Sequence, residues 1–156
     1  MAAAIGAGKR MATTVEVRLP SRLGFEKVAM TTAASYAKLM GFPEDRVEDL
    51  KTAVAEACIN AIEHGNHFDE RVSVGVVLSM EDGLLEIKVL DKGAGMKKQT
   101  PKPDIDRKMH GEEDPRGMGM FLIQSLVDEA EWVNHPRDGS YARLVIHLDK
   151  TEKEQE

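Results

Sequence analysis

Apolar positions recur along this chain first with period two, then with the helical period, then with period two again. From Thr13 to Leu19, Val15, Val17 and Leu19 alternate with Thr14, Glu16 and Arg18, which predicts a half-buried strand ended by Pro20 and Ser21. A helix is expected from about Leu23 to Met40, with Gly41 as its C-terminal cap. Pro43 opens a second helix running to His64, since a missing N–H costs nothing at a first helical position. Val47, Leu50, Val54, Cys58 and Ala61 form its apolar stripe. At about 100° per residue, Glu56 and Asn60 lie roughly 200–240° around from Val54, one turn apart on a shared polar face. Gly65-Asn66 stops this helix.

Period two returns with Val72, Val74, Val76 and Leu78, then a Glu81-Asp82-Gly83 turn, then Leu85, Ile87 and Val89, which together predict a hairpin. Its second strand runs into Asp91-Lys92-Gly93-Ala94-Gly95. Residues 96–115 carry Pro101, Pro103 and Pro115 with mixed charges, and a loop of that length inside a compact domain is usually functional. A third helix from Gly117 to about Val127, a strand near Glu131–Asn134, a turn over 136–139 and a strand from Tyr141 to Leu148 complete the order. Helices grouped against a mostly antiparallel sheet give an α+β fold, a two-layer sandwich. Residues 1–11 are expected to be a disordered tail, 12–149 one domain, and 150–156 a frayed acidic end.

Composition narrows the function. The chain has 156 residues, 42% hydrophobic but only 4% aromatic, so the core must be aliphatic. A net charge of −6 argues against direct nucleic-acid binding, which needs a basic face. No apolar run approaches the roughly 20 residues needed to span a bilayer. One cysteine, Cys58, excludes an internal disulfide and sits on the apolar stripe as a core residue. The expected setting is the cytoplasm, without membrane attachment.

Three small groups carry candidate chemistry, and each has a plain explanation when taken alone. Glu56 and Asn60 fit a solvated helix face; Asp91-x-Gly93-x-Gly95 fits a glycine-rich turn; Arg116-Gly117-Met118-Gly119 fits a loop needing left-handed backbone before a helix. Their order changes the picture. Glycine at a helix opening lets backbone N–H groups approach phosphate. An Asp at a strand end can accept a hydrogen bond from an adenine amino group. A carboxylate and a carboxamide one turn apart suit a magnesium-assisted site, with the amide oxygen as a hard ligand and the carboxylate as a proton acceptor. There is no GxxxxGK[ST] of a P-loop, and Gly93–Gly95 does not open a helix as a Rossmann fingerprint would.

In this order, EACINAIEHGN at 56–66, VLDKGAGM at 89–96 and DPRGMGMFLIQSLVDEAEW at 114–132 resemble the N, G1 and G2 boxes of the GHKL ATPases. Within that superfamily the likeness is strongest to the small anti-sigma-factor serine kinases of bacterial partner-switching systems. The resemblance implies a Bergerat (histidine-kinase-like ATPase) fold binding ATP and Mg²⁺. It casts Glu56 as general base, Asn60 as Mg²⁺ ligand and His64 at the phosphate end, although His64 also fits a helix cap. Asp91 would contact adenine, with Gly93 and Gly95 shaping the pocket. Gly117 and Gly119 would offer N–H groups to phosphate, and Arg116 would steady the transferred phosphoryl group. Residues 97–115 would form the ATP lid. Two positions depart from the usual pattern: Met120 stands for Leu, and Gly139-Ser140 replaces a frequent Gly-Thr, Ser140 keeping the hydroxyl.

The function implied is an ATP-dependent protein-serine kinase and anti-sigma factor. It would sequester a sigma factor, phosphorylate a STAS-domain anti-anti-sigma protein, and form a homodimer. A nucleotide-gated anti-sigma module without kinase activity needs the same pocket and stays open at this level. The catalytic half of a sensor histidine kinase fits less well, because no His precedes His64 to accept phosphate.

Overall fold

A computed structural model describes residues 13–92, 115–135 and 139–148. Strand β1, Val15–Pro20, leads to helix α1, Glu26–Leu39, and helix α2, Glu44–Asn60. A π-helical turn over Ala61–Gly65 prolongs α2. Strands β2, Ser73–Glu81, and β3, Leu84–Asp91, follow, then helix α3, Pro115–Leu126, and strands β4, Glu129–His135, and β5, Gly139–His147. The strands form one sheet in the order β1-β2-β3-β5-β4. Every neighbouring pair is antiparallel.

Local chemistry explains these boundaries. Asp82 and Gly83 both adopt positive φ, 52° and 79°, the handedness a two-residue hairpin turn needs between β2 and β3. Gly41 at φ 93° ends α1. Its N–H bonds Lys38 O at 3.1 Å and the Phe42 N–H bonds Ala37 O at 3.0 Å, a Schellman closure that also buries Phe42. Helix α1 starts three residues later than its apolar pattern implied, because Gly24 at φ 109° breaks the turn over 22–25.

Alternation places Val74, Val76, Leu78, Leu85, Ile87, Val89, Ala142, Leu144 and Ile146 on one buried sheet face. All three helices pack on that face, and the stripe Val47, Leu50, Val54, Cys58 and Ala61 is buried as its spacing requires. The result is the expected two-layer α+β sandwich. Asp128, in the turn before β4, ties the layers together. Its Oδ2 accepts from Arg46 Nη2 of α2 at 3.0 Å and from the His147 N–H of β5 at 2.7 Å. The tails expected at 1–11 and 150–156, the turn over 136–138 and the lid up to residue 114 lie outside the described residues. Among the described residues no helix is long and apolar enough to cross a membrane.

Candidate functional site

The polar face of α2 is covered. A Cβ placed on Gly119 of α3 would stand 3.0 Å from Glu56 Oε2 and 3.6 Å from both Asn60 amide atoms. With no side chain at Gly119, α3 packs closely over this face, and Glu56 is half-buried and Asn60 8% exposed. Glu56 and Asn60 therefore do not form a solvated surface. Gly119 lies a turn inside α3, which begins at Pro115. Its amide therefore belongs to the helical ladder, and of the two glycines it is Gly117, in the first turn, that occupies the open end.

From Asn60 a slot runs toward the sheet between Ala57, Ala61, His64, Gly65, Val89, Asp91, Trp132, Asn134, Ser140 and Ala142. It contains about 400 Å³ of unfilled space counting its open mouth. Two buried polar atoms point to an incomplete polar shell: among the described residues, Asn60 Nδ2 and Ser140 Oγ have no hydrogen-bond partner. Buried polar groups are nearly always paired, so a polar ligand in the slot fits these two. His64 lines the same slot from the π-helical turn, its Nε2 3.6 Å from Glu63 Oε2.

Asp91 ends β3 opposite Ser140 of β5. Two glycines make room for it. A Cβ on Gly65 would lie 2.4 Å from Asp91 Cγ, and one on Gly139, at φ 89°, would lie 2.3 Å from the Asp91 carbonyl oxygen. Gly65 reads in sequence as a helix stop and nothing more, because a capping glycine and a clearance glycine look alike. Asn66 beside it is buried and fully engaged, and it too carries no sequence signal beyond turn-making.

The structure thus brings Asn60, His64, Asp91 and Ser140 onto the wall of one slot, and sets Glu56 and Gly119 against Asn60 beside it. Gly93 and Gly95 lie outside the described residues, as does the side chain of Arg116. Two residues on from Glu56 and on the core side of the helix, burial and, secondarily, the charge of Glu26 push the Cys58 thiol up to about 12. Among the described residues no three His, Cys, Asp or Glu side chains converge as a metal site. A magnesium ion held through Asn60 would draw its remaining ligands from phosphate and water, as this hard cation commonly does.

A family model described as the histidine kinase-like ATPase domain matches residues 19–146. The chain belongs to that family. At 31% identity over 136 residues, it is similar to the serine-protein kinase RsbW of Bacillus subtilis, covering 81% of this chain and 82% of that protein. RsbW of Bacillus licheniformis is 32% identical over 130 residues, with 78% of each chain covered. RsbW of Halalkalibacterium halodurans is 31% identical over 122 residues, covering 76% and 74%. Within its family, then, the chain is a serine kinase of the RsbW group. A crystal structure of the RsbU and RsbW domains of a Mycobacterium tuberculosis protein superposes with a TM-score of 0.63 at 19% identity. The match covers 86% of this chain and 32% of that longer one, and it speaks for the fold.

Proposed function

We propose that this kinase uses ATP and Mg²⁺ to phosphorylate a serine on a STAS-domain anti-anti-sigma protein, and that it sequesters a sigma factor. It would act as a cytoplasmic homodimer. The observation that supports this reading best is the contact of Gly119 with Glu56 and Asn60. In this reading it brings a proton acceptor and a hard oxygen ligand together beneath the first turns of α3, at the Asn60 end of the slot.

In this reading Glu56 takes the proton of the acceptor serine as its oxygen bonds to the γ-phosphorus and ADP departs. Asn60 Oδ1 holds the cation, and Asp91 receives the adenine amino group against Val89 and Ala142. Ser140 Oγ supplies a further hydrogen bond at the base. The open N–H groups of the first turn of α3, Gly117 among them, face the phosphates, and Arg116 offsets charge on the transferred group. Bound Mg²⁺ would supply charge neutralisation between the phosphates. Catalysis then rests mainly on positioning and electrostatics, the general pattern of phosphoryl transfer.

The test is transfer of label from ATP to the cognate antagonist. Glu56→Ala is expected to lower the rate at least about 100-fold while leaving ATP affinity near wild type, the size of effect general-base catalysis carries. Unchanged transfer would remove the general-base role. Asp91→Asn should instead weaken ATP binding itself.

A further inference from the structure

We infer that Asn66 is a positioning residue for the nucleotide, acting as a side-chain rung that parts β2 from β3 just beyond Asp91; this deepens the ATP-binding reading and rests on it. The β2–β3 ladder runs with residue numbers summing constantly, from Glu81↔Leu84 to Gly75↔Leu90. Continued by the same register, it would bring Ser73 opposite Lys92. At that point the Asn66 carboxamide stands between the strands. Its Nδ2 donates to the Ser73 carbonyl at 3.3 Å, and the Lys92 N–H donates to its Oδ1 at 2.8 Å. A side-chain amide has the donor and acceptor of a peptide group, so it completes the rung while holding the two backbones apart.

The rest of Asn66 is fixed just as firmly. Its Nδ2 also donates to Ser21 Oγ at 3.0 Å, and Ser21 Oγ in turn donates to the Val72 carbonyl. Its own N–H bonds Ala61 O at 2.8 Å, closing the π-helical turn. Asn66 is 6% exposed and Ser21 is fully buried. The amide therefore has two arms with different duties. The Nδ2 arm joins the β1–α1 turn to β2, which is architecture. The Oδ1 arm holds the backbone of the residue after Asp91, and so fixes the end of β3 beside the slot.

The experiment is calorimetric titration of the full chain with Mg·ATP and, separately, ADP, together with thermal melts. Asn66→Ala should weaken both nucleotides by the same factor, about tenfold, the value of one hydrogen bond near the shared base. Asn66→Asp keeps the Oδ1 acceptor and loses the Nδ2 donor; it should melt earlier yet bind both nucleotides near wild type. Where Asn66→Ala is too unstable to titrate, a loss of affinity in Asn66→Asp that tracks its loss of stability would overturn the proposal. Ser21→Ala, which cuts only the architectural arm, should lower Tm and leave affinity unchanged. Equal weakening in Asn66→Ala, Asn66→Asp and Ser21→Ala would overturn the proposal, since affinity would then follow stability alone. So would an unaltered affinity in Asn66→Ala, with ATP binding to the wild type left standing. A wild-type chain that binds no Mg·ATP would remove the pocket's reading and this role together.

Discussion

Asp91 is framed by backbone on two sides, and the framing is steric before it is electrostatic. Gly139 meets two demands at once, a left-handed φ of 89° and a carbonyl 2.3 Å from where a Cβ would sit. Gly139→Ala must shift β5 against β3 or bend the Asp91 backbone, and neither neighbour is a flexible side-chain tip. The expected outcome is a loss of about 2 kcal/mol or more in stability, from a positive-φ site combined with overpacking. Urea denaturation measures it, and a midpoint equal to wild type would show that the strand gives way freely. Little of this was legible in the sequence. Gly139-Ser140 stood out only as a family variation, and Gly65 only as a helix stop, because a contact between residues 26 positions apart in sequence leaves no local pattern.

Elements were far more legible than their contacts. Hydrophobic period, together with turn and capping residues, placed all five strands and three helices, since each element buries one face against the other layer. The hairpin turn and the glycine closing α1 followed from positive-φ chemistry. The ends shifted where backbone geometry overrode period: Gly24 delays α1, and the last turn of the long second helix widens to π geometry over Ala61–Gly65. At Glu56 and Asn60 the sequence marked the right face and left its surroundings open, because the covering helix is some sixty residues away and shows itself only as a glycine. Another tie invisible to periodicity is Asp128, whose side chain is 7% exposed between Arg46 and the β5 backbone. Asp128→Ala leaves the part-buried Arg46 guanidinium with Asp49 as its remaining partner and takes the acceptor from a backbone N–H. The expected cost is about 2 kcal/mol, or a Tm lower by roughly 4–8 °C. A melting temperature within a degree or two of wild type would mean that this pair is dispensable.

For the whole molecule, Cys58 is a built-in reporter. It is the chain's one cysteine, fully buried, and its thiol is shifted from a usual value of 9.0 up to about 12. A raised folded value means that folding favours the neutral thiol. The associated stability is complete below about pH 9 and is lost as pH climbs toward 12. Alkylation at pH 8 therefore requires the core to open. If Mg·ATP binds only the folded chain, a concentration about 100 times its Kd should slow alkylation about 100-fold, the mass-action factor for one site. An alkylation rate indifferent to Mg·ATP would count against nucleotide binding in the slot.

The slot takes Asn60 from α2, Asp91 from β3, and Ser140 and Ala142 from β5. During synthesis the N and G1 motifs leave the ribosome while the strand that completes the floor is still untranslated. A newborn chain thus carries most of its signature residues before it owns a cavity. No small molecule seated there can guide the early stages of folding; help at those stages has to act on the bare polypeptide.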